Sequence, residues 1–247
     1  MAHNEKVFLP IWLSYYSRFF APEDIYIIDH DSNDGSIKDA QKKFKFNLQR
    51  AHHSTVHNNE FMLSTIQNMQ HKLIKRYDIV TYSDTDEILL PDPQHYSGLK
   101  DYCQRFSHDY IACESRSVIQ QLTEPAIDLT KPVLSQRSVW FREQWYDKTL
   151  ISRIALNWTI GLHSPVNANN ESFSVPIDNK LILLHLARMD FGIRKQRNDN
   201  VAKEKWGAEG NIAKQHQLRG KDLEHWFYHP ANVTLIEYIP NRFKGIV

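Results

Sequence analysis

Two short acidic clusters are the part of this sequence best suited to chemistry. They consist of Asp29, Asp31 and Asp34, and of Asp84, Asp86 and Glu87. An Asp-x-Asp turn lets alternate carboxylates point toward one hard cation, and Mg²⁺ or Mn²⁺ prefers such oxygen ligands while keeping waters and substrate phosphates. The second cluster therefore predicts a divalent-cation site at Asp84 and Asp86.

A structural interpretation competes with this one, because Asp side chains also populate turns by accepting hydrogen bonds from nearby backbone. It stays open for the first cluster. In the second cluster, adjacent carboxylates between apolar runs would repel one another without a cation. A calcium-binding EF-hand at Asp29 is excluded, because Asp34 occupies the position that requires glycine and no Glu stands at position twelve.

Both clusters follow segments that the hydrophobic pattern predicts to be strands. Strands are predicted at residues 25–28, 46–51 and 79–82, and helices at 9–20, 36–44 and 58–76. This alternation predicts an α/β domain with a mostly parallel central sheet flanked by helices. Ligands bind beyond the carboxyl ends of such strands, so both clusters should meet in one crevice.

The second half of the sequence is richer in extended, aromatic segments. Strands are predicted at residues 110–119, 133–141, 150–158 and 181–186, followed by helices near 193–206 and 211–227. No repeat or linker separates the halves, so a single domain over residues 1–247 is expected.

Composition limits the partners and the compartment. The 247 residues contain 30 Lys+Arg and 29 Asp+Glu, so no general attraction to nucleic acid or to anionic membranes is expected. No apolar run approaches the roughly 18 residues of a membrane span, and the first residues lack a secretory signal. Cys103 and Cys113 have no metal or disulfide spacing. A cytoplasmic protein without a membrane span is predicted, with peripheral membrane contact left open.

Several motifs together carry a resemblance to a known family. Asn4-Glu5, then Leu9-Pro10 and Trp12-Leu13, the segment 27–36, and the segment 83–91 occur in order over roughly the first 95 residues. They resemble the short branch of family 2 glycosyltransferases, whose pattern reads "NE…LP.W…D..S.DG…D.DE". The family pattern has a full strand before its Asn-Glu pair, where this sequence has three residues.

The resemblance implies a single GT-A domain, Rossmann-like, that transfers a sugar from a nucleotide-diphosphate sugar to a glycan or other hydroxyl acceptor, with inversion. Residues 1–95 would bind the donor and residues 96–247 the acceptor. The nucleotide contacts implied are Asn4, Glu5, Asp29, Asp31 and Asp34, and Asp84 and Asp86 would hold Mn²⁺ or Mg²⁺. Asn4-Glu5 would equally suit a helix cap.

The second half offers further site residues with less specific signals. By the same resemblance, His163 in its Gly-x-His setting would be a third metal ligand. His185 is the catalytic candidate, as acceptor-binding residue or general base near Arg188, although a core histidine explains it too. The carboxylates that spacing leaves open as the base are Glu114, Glu143, Asp147, Asp178 and Asp190.

Two further sets of residues in this half have both a functional and a structural interpretation. Trp140, Trp145 and Trp158 would form a sugar-stacking face or belong to the core. A basic run would clamp a diphosphate or form a solvated helix face; it consists of Arg188, Arg194, Lys195, Arg197, Lys203 and Lys205.

Two other functions fit the same residues. A metal-dependent phosphohydrolase or nucleotidyltransferase would use the same acidic crevice but leave Asn4-Glu5 and Trp12 without a role. A non-catalytic module that binds sugar nucleotides or glycans would explain why no base motif is evident. The donor sugar, the nucleotide base and the acceptor are not specified by the sequence.

Overall fold

The computed structural model describes residues 1–54, 58–204, 214–229 and 236–247. In the first part of the chain, helices alternate with short strands. The elements are α1 (Phe8–Tyr16), β1 (Tyr26–His30), α2 (Ser36–Lys43), β2 (Asn47–Ala51), α3 (Asn59–Leu73), β3 (Val80–Thr81) and β4 (Glu87–Pro91). The helices and strands predicted up to residue 82 are therefore present, with bounds that differ by up to four residues. Strand β4 was not predicted.

Strands dominate the middle of the chain and helices follow. The elements are α4 (Leu99–Arg105), β5 (Tyr110–Ile119), α5 (Val133–Gln136), β6 (Val139–Arg142), β7 (Lys148–Ser152), β8 (Ile177–Arg188), α6 (Phe191–Val201), α7 (Gly220–Tyr228) and β9 (Ile236–Tyr238). The segment predicted as one strand over 133–141 contains α5 before β6, and the strand predicted over 150–158 ends at Ser152. The junction of the two predicted C-terminal helices, including Lys205, Trp206 and Asn211, lies outside the described residues.

The sheet topology corrects the predicted fold class. The main sheet has seven strands among the described residues, and β3–β7, β4–β8, β5–β6, β5–β7 and β6–β9 all pair antiparallel. Its strands β5 and β8 run parallel. The mostly parallel, Rossmann-like GT-A sheet was therefore a wrong prediction.

The physical reason is that distant segments supply the partners of β3 and β4. Val80 pairs with Ser152, and Glu87 pairs with His185, both antiparallel. A strand–helix–strand pattern predicts parallel pairing only between neighbours in sequence. That pairing does occur between β1 and β2, which form a separate two-stranded parallel sheet. Ala2 extends this sheet through a parallel bridge to Asp29.

The largest hydrophobic core joins the two halves of the sequence. It contains Phe8 and Ile28 from the first part, Ile88 and Leu89 from β4, and Leu183 from β8, among many others. Strand β4 is buried along its whole length, which explains its uninterrupted apolar run. This packing fixes the start of β4, and with it Asp86 and Glu87, against the end of β8. In the described part of the chain, each helix is too short or too polar to cross a bilayer.

Candidate functional site

A cavity of about 660 Å³ lies beside the turn that contains Asp84 and Asp86. Its walls come from the start of the chain, the turn after β1, the start of β4, the end of β8 and α6. The predicted site residues that line it are Asn4, Glu5, Asp34, Asp84, Asp86, His163 and His185. Asp29 and Asp31 do not line it. The structure thus brings residues from both halves of the sequence to one space.

The turn before β4 is fixed by hydrogen bonds from helix α1. Trp12 Nε1 donates to Ser83 Oγ at 2.8 Å, and the Tyr16 hydroxyl lies 2.9 Å from the same oxygen. The Glu87 amide donates to the Asp84 carbonyl at 3.0 Å and closes the turn. Trp12 is therefore a positioning residue for the second acidic cluster.

A buried lysine neutralises part of this cluster. Lys148 Nζ lies 2.6 Å from Glu87 Oε1 and 3.1 Å from Asp84 Oδ2. Burial opposes the charge of Lys148, but Glu87 and Asp84 raise its pKa well above the usual range. Burial opposes ionisation of Asp84 too, yet Lys148 lowers its pKa. Glu87 and Lys148 are fully enclosed, whereas the Asp84 side chain keeps 35% of its surface exposed toward the cavity.

Arg197 of α6 neutralises a second pair of carboxylates. Its guanidinium donates to Asp86 Oδ2 at 2.5 Å and to Glu5 Oε1 at 2.8 Å. Although burial favours the protonated form of Asp86, Arg197 and then His185 hold its pKa well below the usual range. Burial raises the pKa of Glu5, and Arg197 opposes that shift. Arg197 thus links the Asn4-Glu5 motif to the Asp-x-Asp turn.

His185 faces the same aspartate from β8. Its Nε2 lies 3.6 Å from Asp86 Oδ2, and its ring lies 5.0 Å from the ring of Tyr146, between centroids. Burial lowers the pKa of His185, but the hydrogen bond and the charge of Asp86 raise it more, so the net shift is upward. The pairing with Asp86 thus favours the protonated imidazole, which donates hydrogen bonds, over the neutral form that a general base requires.

The first acidic cluster makes mainly local contacts. Asp29 lies within β1 and is buried; its Oδ1 accepts from the Ser32 amide at 3.0 Å. Asp31 is exposed and lies 2.6 Å from His52. Asp34 Oδ1 accepts from the Ser36 amide at 2.9 Å, at the start of α2. Turn formation therefore explains much of this cluster, and Asp34 is its member at the cavity.

Asn4 holds the turn after β1 against the start of the chain. Its Oδ1 accepts from the amides of Asn33 and Asp34 at 2.8 and 3.1 Å, and its own amide donates to Ser32 Oγ at 3.1 Å. Asn4 has a φ of 55°, a left-handed conformation that Asn adopts more readily than most residues. The helix-cap interpretation does not apply, because α1 begins at Phe8 after Val7 without a side-chain cap.

The donor set can be tested against the divalent cation that the sequence predicted. Among residues 1–54, 58–204, 214–229 and 236–247, no group of three or more His, Cys, Asp or Glu side chains is arranged to hold a metal. His163 lines the cavity, and burial followed by the charge of Lys148 lowers its pKa. It does not complete such a group with Asp84 and Asp86.

A cation held by two carboxylates and a phosphate-bearing ligand still fits. Mg²⁺ often uses only one or two protein carboxylates and takes its other ligands from water and substrate phosphates. Asp84 and Asp86 both line the cavity. Among the described residues, seven carboxylates line it, together with five Lys or Arg side chains and the N-terminal amine of Met1. Asp84 and Asp86 are therefore the residues that would hold a divalent cation.

One of the five carboxylates considered as a base lies at the cavity, and it is Glu143. Its Oε2 accepts from the Ser117 hydroxyl at 2.5 Å, and its Oε1 lies 3.9 Å from Arg188 Nη2. The other four are engaged elsewhere. Glu114 pairs with Arg116, Asp147 with Arg142, Asp178 accepts from the Tyr102 hydroxyl, and Asp190 caps α6.

The basic run divides between the cavity and the solvent. Arg188, Arg194 and Arg197 line the cavity, whereas Lys195 and Lys203 are exposed. Lys205 lies outside the described residues. The solvated-face interpretation fits Lys195 and Lys203, and the diphosphate clamp stays a prediction for the three arginines at the cavity.

The tryptophans considered as a sugar-stacking face lie away from this cavity. Trp140 and Trp158 are buried in the core, and Trp145 is exposed at the surface. Trp226 of α7 lines the cavity instead. A second cavity, of about 210 Å³, has mostly apolar walls and contains none of the predicted site residues among its described lining.

Sequence reasoning missed Lys148 and Trp226. Lys148 is the single charged residue in a strand that is buried throughout, and such a residue requires a buried counter-charge. That signal was available. Trp226 gave none, because a lone aromatic in an amphipathic helix is indistinguishable from a core residue.

In comparisons with known proteins, no protein-family model matches the chain, and no match to a curated protein is found.

Proposed function

We propose that this protein transfers a sugar from a nucleotide-diphosphate sugar to a hydroxyl acceptor, with a divalent cation at Asp84 and Asp86. One observation carries the proposal. Asn4, Glu5 and Asp34 from the first motifs line the same 660 Å³ cavity as Asp84 and Asp86 from the third. A volume of this size suits a drug-sized or nucleotide-sized ligand.

Each group would have a distinct role in the reaction. The cation would supply neutralisation of the charge that develops on the departing diphosphate. Glu5 and Asp34 carry carboxylates that accept hydrogen bonds from ribose hydroxyls or from a base N–H. His185, directed at Asp86 from 3.6 Å, helps to orient that carboxylate.

Glu143 is better placed than His185 to accept the acceptor's proton. Glu143 lines the cavity, and its carboxylate accepts a hydrogen bond from the Ser117 hydroxyl. In the transfer, the acceptor oxygen forms a bond to the anomeric carbon and loses its proton to Glu143. The bond from that carbon to the diphosphate oxygen breaks, and its electron pair leaves with the nucleoside diphosphate.

The test compares wild type with Asp86→Asn. Titration of UDP-sugars and GDP-sugars, with and without Mn²⁺, should show Mn²⁺-dependent binding to wild type. Loss of one charged ligand should weaken it by about one-hundredfold. Asp39→Asn removes the same charge from an exposed pair with Lys42 and should leave binding unchanged. Equal affinity of wild type and Asp86→Asn would contradict the proposal.

A paired turnover assay separates the alternatives. Transfer of the sugar to a glycan acceptor, or slow release of free sugar and nucleoside diphosphate, supports the transferase. Binding without turnover would instead favour the non-catalytic module. Release of inorganic phosphate or pyrophosphate would favour the phosphohydrolase or nucleotidyltransferase.

A further inference from the structure

Arg194 of α6 is a buried cation, and two of its guanidinium nitrogens have no hydrogen-bond acceptor among the described residues. Only 3% of the surface of Arg194 is exposed. Its Nε and Nη2 atoms are buried and donate no hydrogen bond. Among the described residues, no carboxylate forms an ion pair with its guanidinium. Burial, and then the charge of Arg197, lowers its pKa to about 9. A buried charge left in this state is costly unless a further group compensates it.

A second arginine, Arg188, contacts the same aromatic ring as Arg194. The guanidinium carbons of Arg188 and Arg194 are 3.8 and 4.7 Å from the ring centroid of Trp226. Arg188 Nη1 donates to the Trp226 carbonyl at 2.6 Å, which fixes it to α7. All three side chains line the 660 Å³ cavity. Two guanidinium groups therefore contact the same ring at the cavity wall.

Arg137, another buried arginine, has carboxylates nearby that Arg194 lacks. Its Nε donates to the Met189 carbonyl at 2.6 Å, and carboxylates of Glu124 and Asp190 lie within 3.8 and 3.6 Å, although its Nη2 also has no hydrogen-bond acceptor. Arg194 contacts the ring of Trp226, and the charge of Asp86 only partly offsets the effect of the neighbouring arginines on its pKa. An aromatic face attracts a cation but does not accept the in-plane N–H groups of a guanidinium. Among the described residues, no group accepts a hydrogen bond from Arg194 Nε or Nη2.

We propose that Arg188 and Arg194, held over Trp226, form a subsite for the diphosphate group of the donor. Guanidinium groups donate paired N–H bonds to phosphate oxygens. The two positive charges are matched better by a dianionic diphosphate than by a single carboxylate. The subsite names the part of the donor that this wall contacts, so it rests on the proposed function. It predicts that binding of the diphosphate does not depend wholly on a divalent cation.

The experiment measures binding of inorganic pyrophosphate in EDTA by calorimetry and by thermal shift. Saturating pyrophosphate should raise the Tm of wild type by about 5 °C. Arg194→Met should lower the affinity by about tenfold to one-hundredfold, the effect of losing a charged hydrogen-bonding group. Its Tm without ligand should equal or exceed that of wild type, because an unpaired buried charge is removed.

The matched control is Lys195→Met, which removes the same charge from the neighbouring, exposed position on α6. Its affinity for pyrophosphate should equal that of wild type. Arg194→Lys keeps the charge but loses the planar fork, and a partial loss is expected. Equal losses in Lys195→Met and Arg194→Met, or no loss in Arg194→Met, would show that Arg194 merely packs against Trp226 and would overturn the proposal.

Further ligands identify the source of the anion and separate the two proposals. UDP should bind more tightly than uridine to wild type, and this preference should shrink in Arg194→Met. Glucuronate binding that depends on Arg194, without pyrophosphate binding, would overturn the diphosphate assignment in favour of an acidic sugar. Arg194-dependent pyrophosphate binding without any sugar-nucleotide binding leaves the subsite intact and removes the transferase. Sugar transfer at equal rates in wild type and Arg194→Met would support the transferase and overturn the diphosphate subsite.

Discussion

The two acidic clusters have similar composition but make different contacts. In the first cluster, Asp29 and Asp34 accept from backbone amides two or three residues away, and Asp31 makes a surface pair with His52. In the second, Asp84 and Asp86 contact Lys148 and Arg197, which are 64 and 111 residues distant in sequence. The first cluster mainly shapes a turn, whereas the second concentrates charge at a cavity.

This difference is the one expected between an aspartate that shapes a turn and an aspartate that serves a ligand site. A carboxylate that caps a turn satisfies its charge with donors that the turn itself supplies. A cluster of carboxylates that is neutralised by buried cations from other elements costs desolvation free energy to form. Buried, strongly perturbed charges of this kind are typical of sites where a ligand or a reaction requires the charge. The predictions below test how far this contrast holds.

The largest effect is expected for Lys148→Met. The substitution leaves Glu87 and Asp84 without their buried counter-charge, so the free energy of unfolding at neutral pH should fall by about 3–5 kcal/mol. The loss should shrink at acid pH, where the carboxylates become protonated. Urea denaturation at several pH values measures both. Lys42→Met, in the exposed pair with Asp39, should cost less than about 1 kcal/mol.

If Lys148→Met and Lys42→Met had the same effect, the second cluster would be no more costly to neutralise than an ordinary surface pair. The contrast between the clusters would then be wrong.

A smaller effect is expected for Asn4→Ala, which tests the link between the first cluster and the cavity. It removes the acceptor of the Asn33 and Asp34 amides and places Ala at a positive φ, so stability should fall by about 1–3 kcal/mol. Asn4→Asp keeps an acceptor and should recover most of it. Denaturant titration of both variants checks this, and equal losses would show that the hydrogen bonds contribute nothing.

The histidines paired with each cluster should differ in their effect on pH dependence. The pKa of His185 is raised from its ordinary 6.5, so its pairing with Asp86 stabilises the fold below that pH and is lost as pH rises through the folded-state pKa. His185→Gln should therefore flatten the decline of unfolding free energy above about pH 6.5, measured in EDTA.

His52→Gln is the matched variant in the first cluster. The His52 side chain is 82% exposed in its pair with Asp31, so solvent screens the interaction and the pH profile should stay close to that of wild type. A profile that changes with His52 and not with His185 would reverse the comparison.

The smallest effect is expected for Asp31→Asn. Asp31 has a φ of 53°, which Asn tolerates at least as well, and its carboxylate is exposed outside the cavity. Stability should change by less than about 0.5 kcal/mol, and sugar-nucleotide binding should not change. A loss of binding would place Asp31 at the nucleotide after all, as the family resemblance implies.

Much of the local structure was predictable because its causes are local. The apolar run before Asp29 formed β1, the amphipathic stripe at Leu9 and Leu13 formed α1, and the segment 110–119 formed β5 with the expected bounds. In each case the periodicity of side chains within one element decides which face is buried. The positions of Asp84 and Asp86 in a turn followed from the same kind of pattern.

Strand pairing was not predictable in the same way. The prediction of a mostly parallel sheet extended the β1–β2 pattern to β3 and β4, which pair instead with β7 and β8. A strand's own sequence shows that it is buried but does not identify its neighbour. The choice of a catalytic base among the carboxylates had the same difficulty. Glu143 lines the cavity whereas Glu114 pairs with Arg116, and neither sequence context shows this difference.

By itself, the sequence determined the residue types at the site and the positions of the turns that carry them, because turn-forming residues and the ends of apolar runs are local features. The tertiary structure decided which cations neutralise Asp84 and Asp86, which carboxylate reaches the cavity, and that Arg194 lies buried without an acceptor. These contacts join segments from different parts of the chain. Their free energy depends on burial and distance, which only the assembled sheet and helices set.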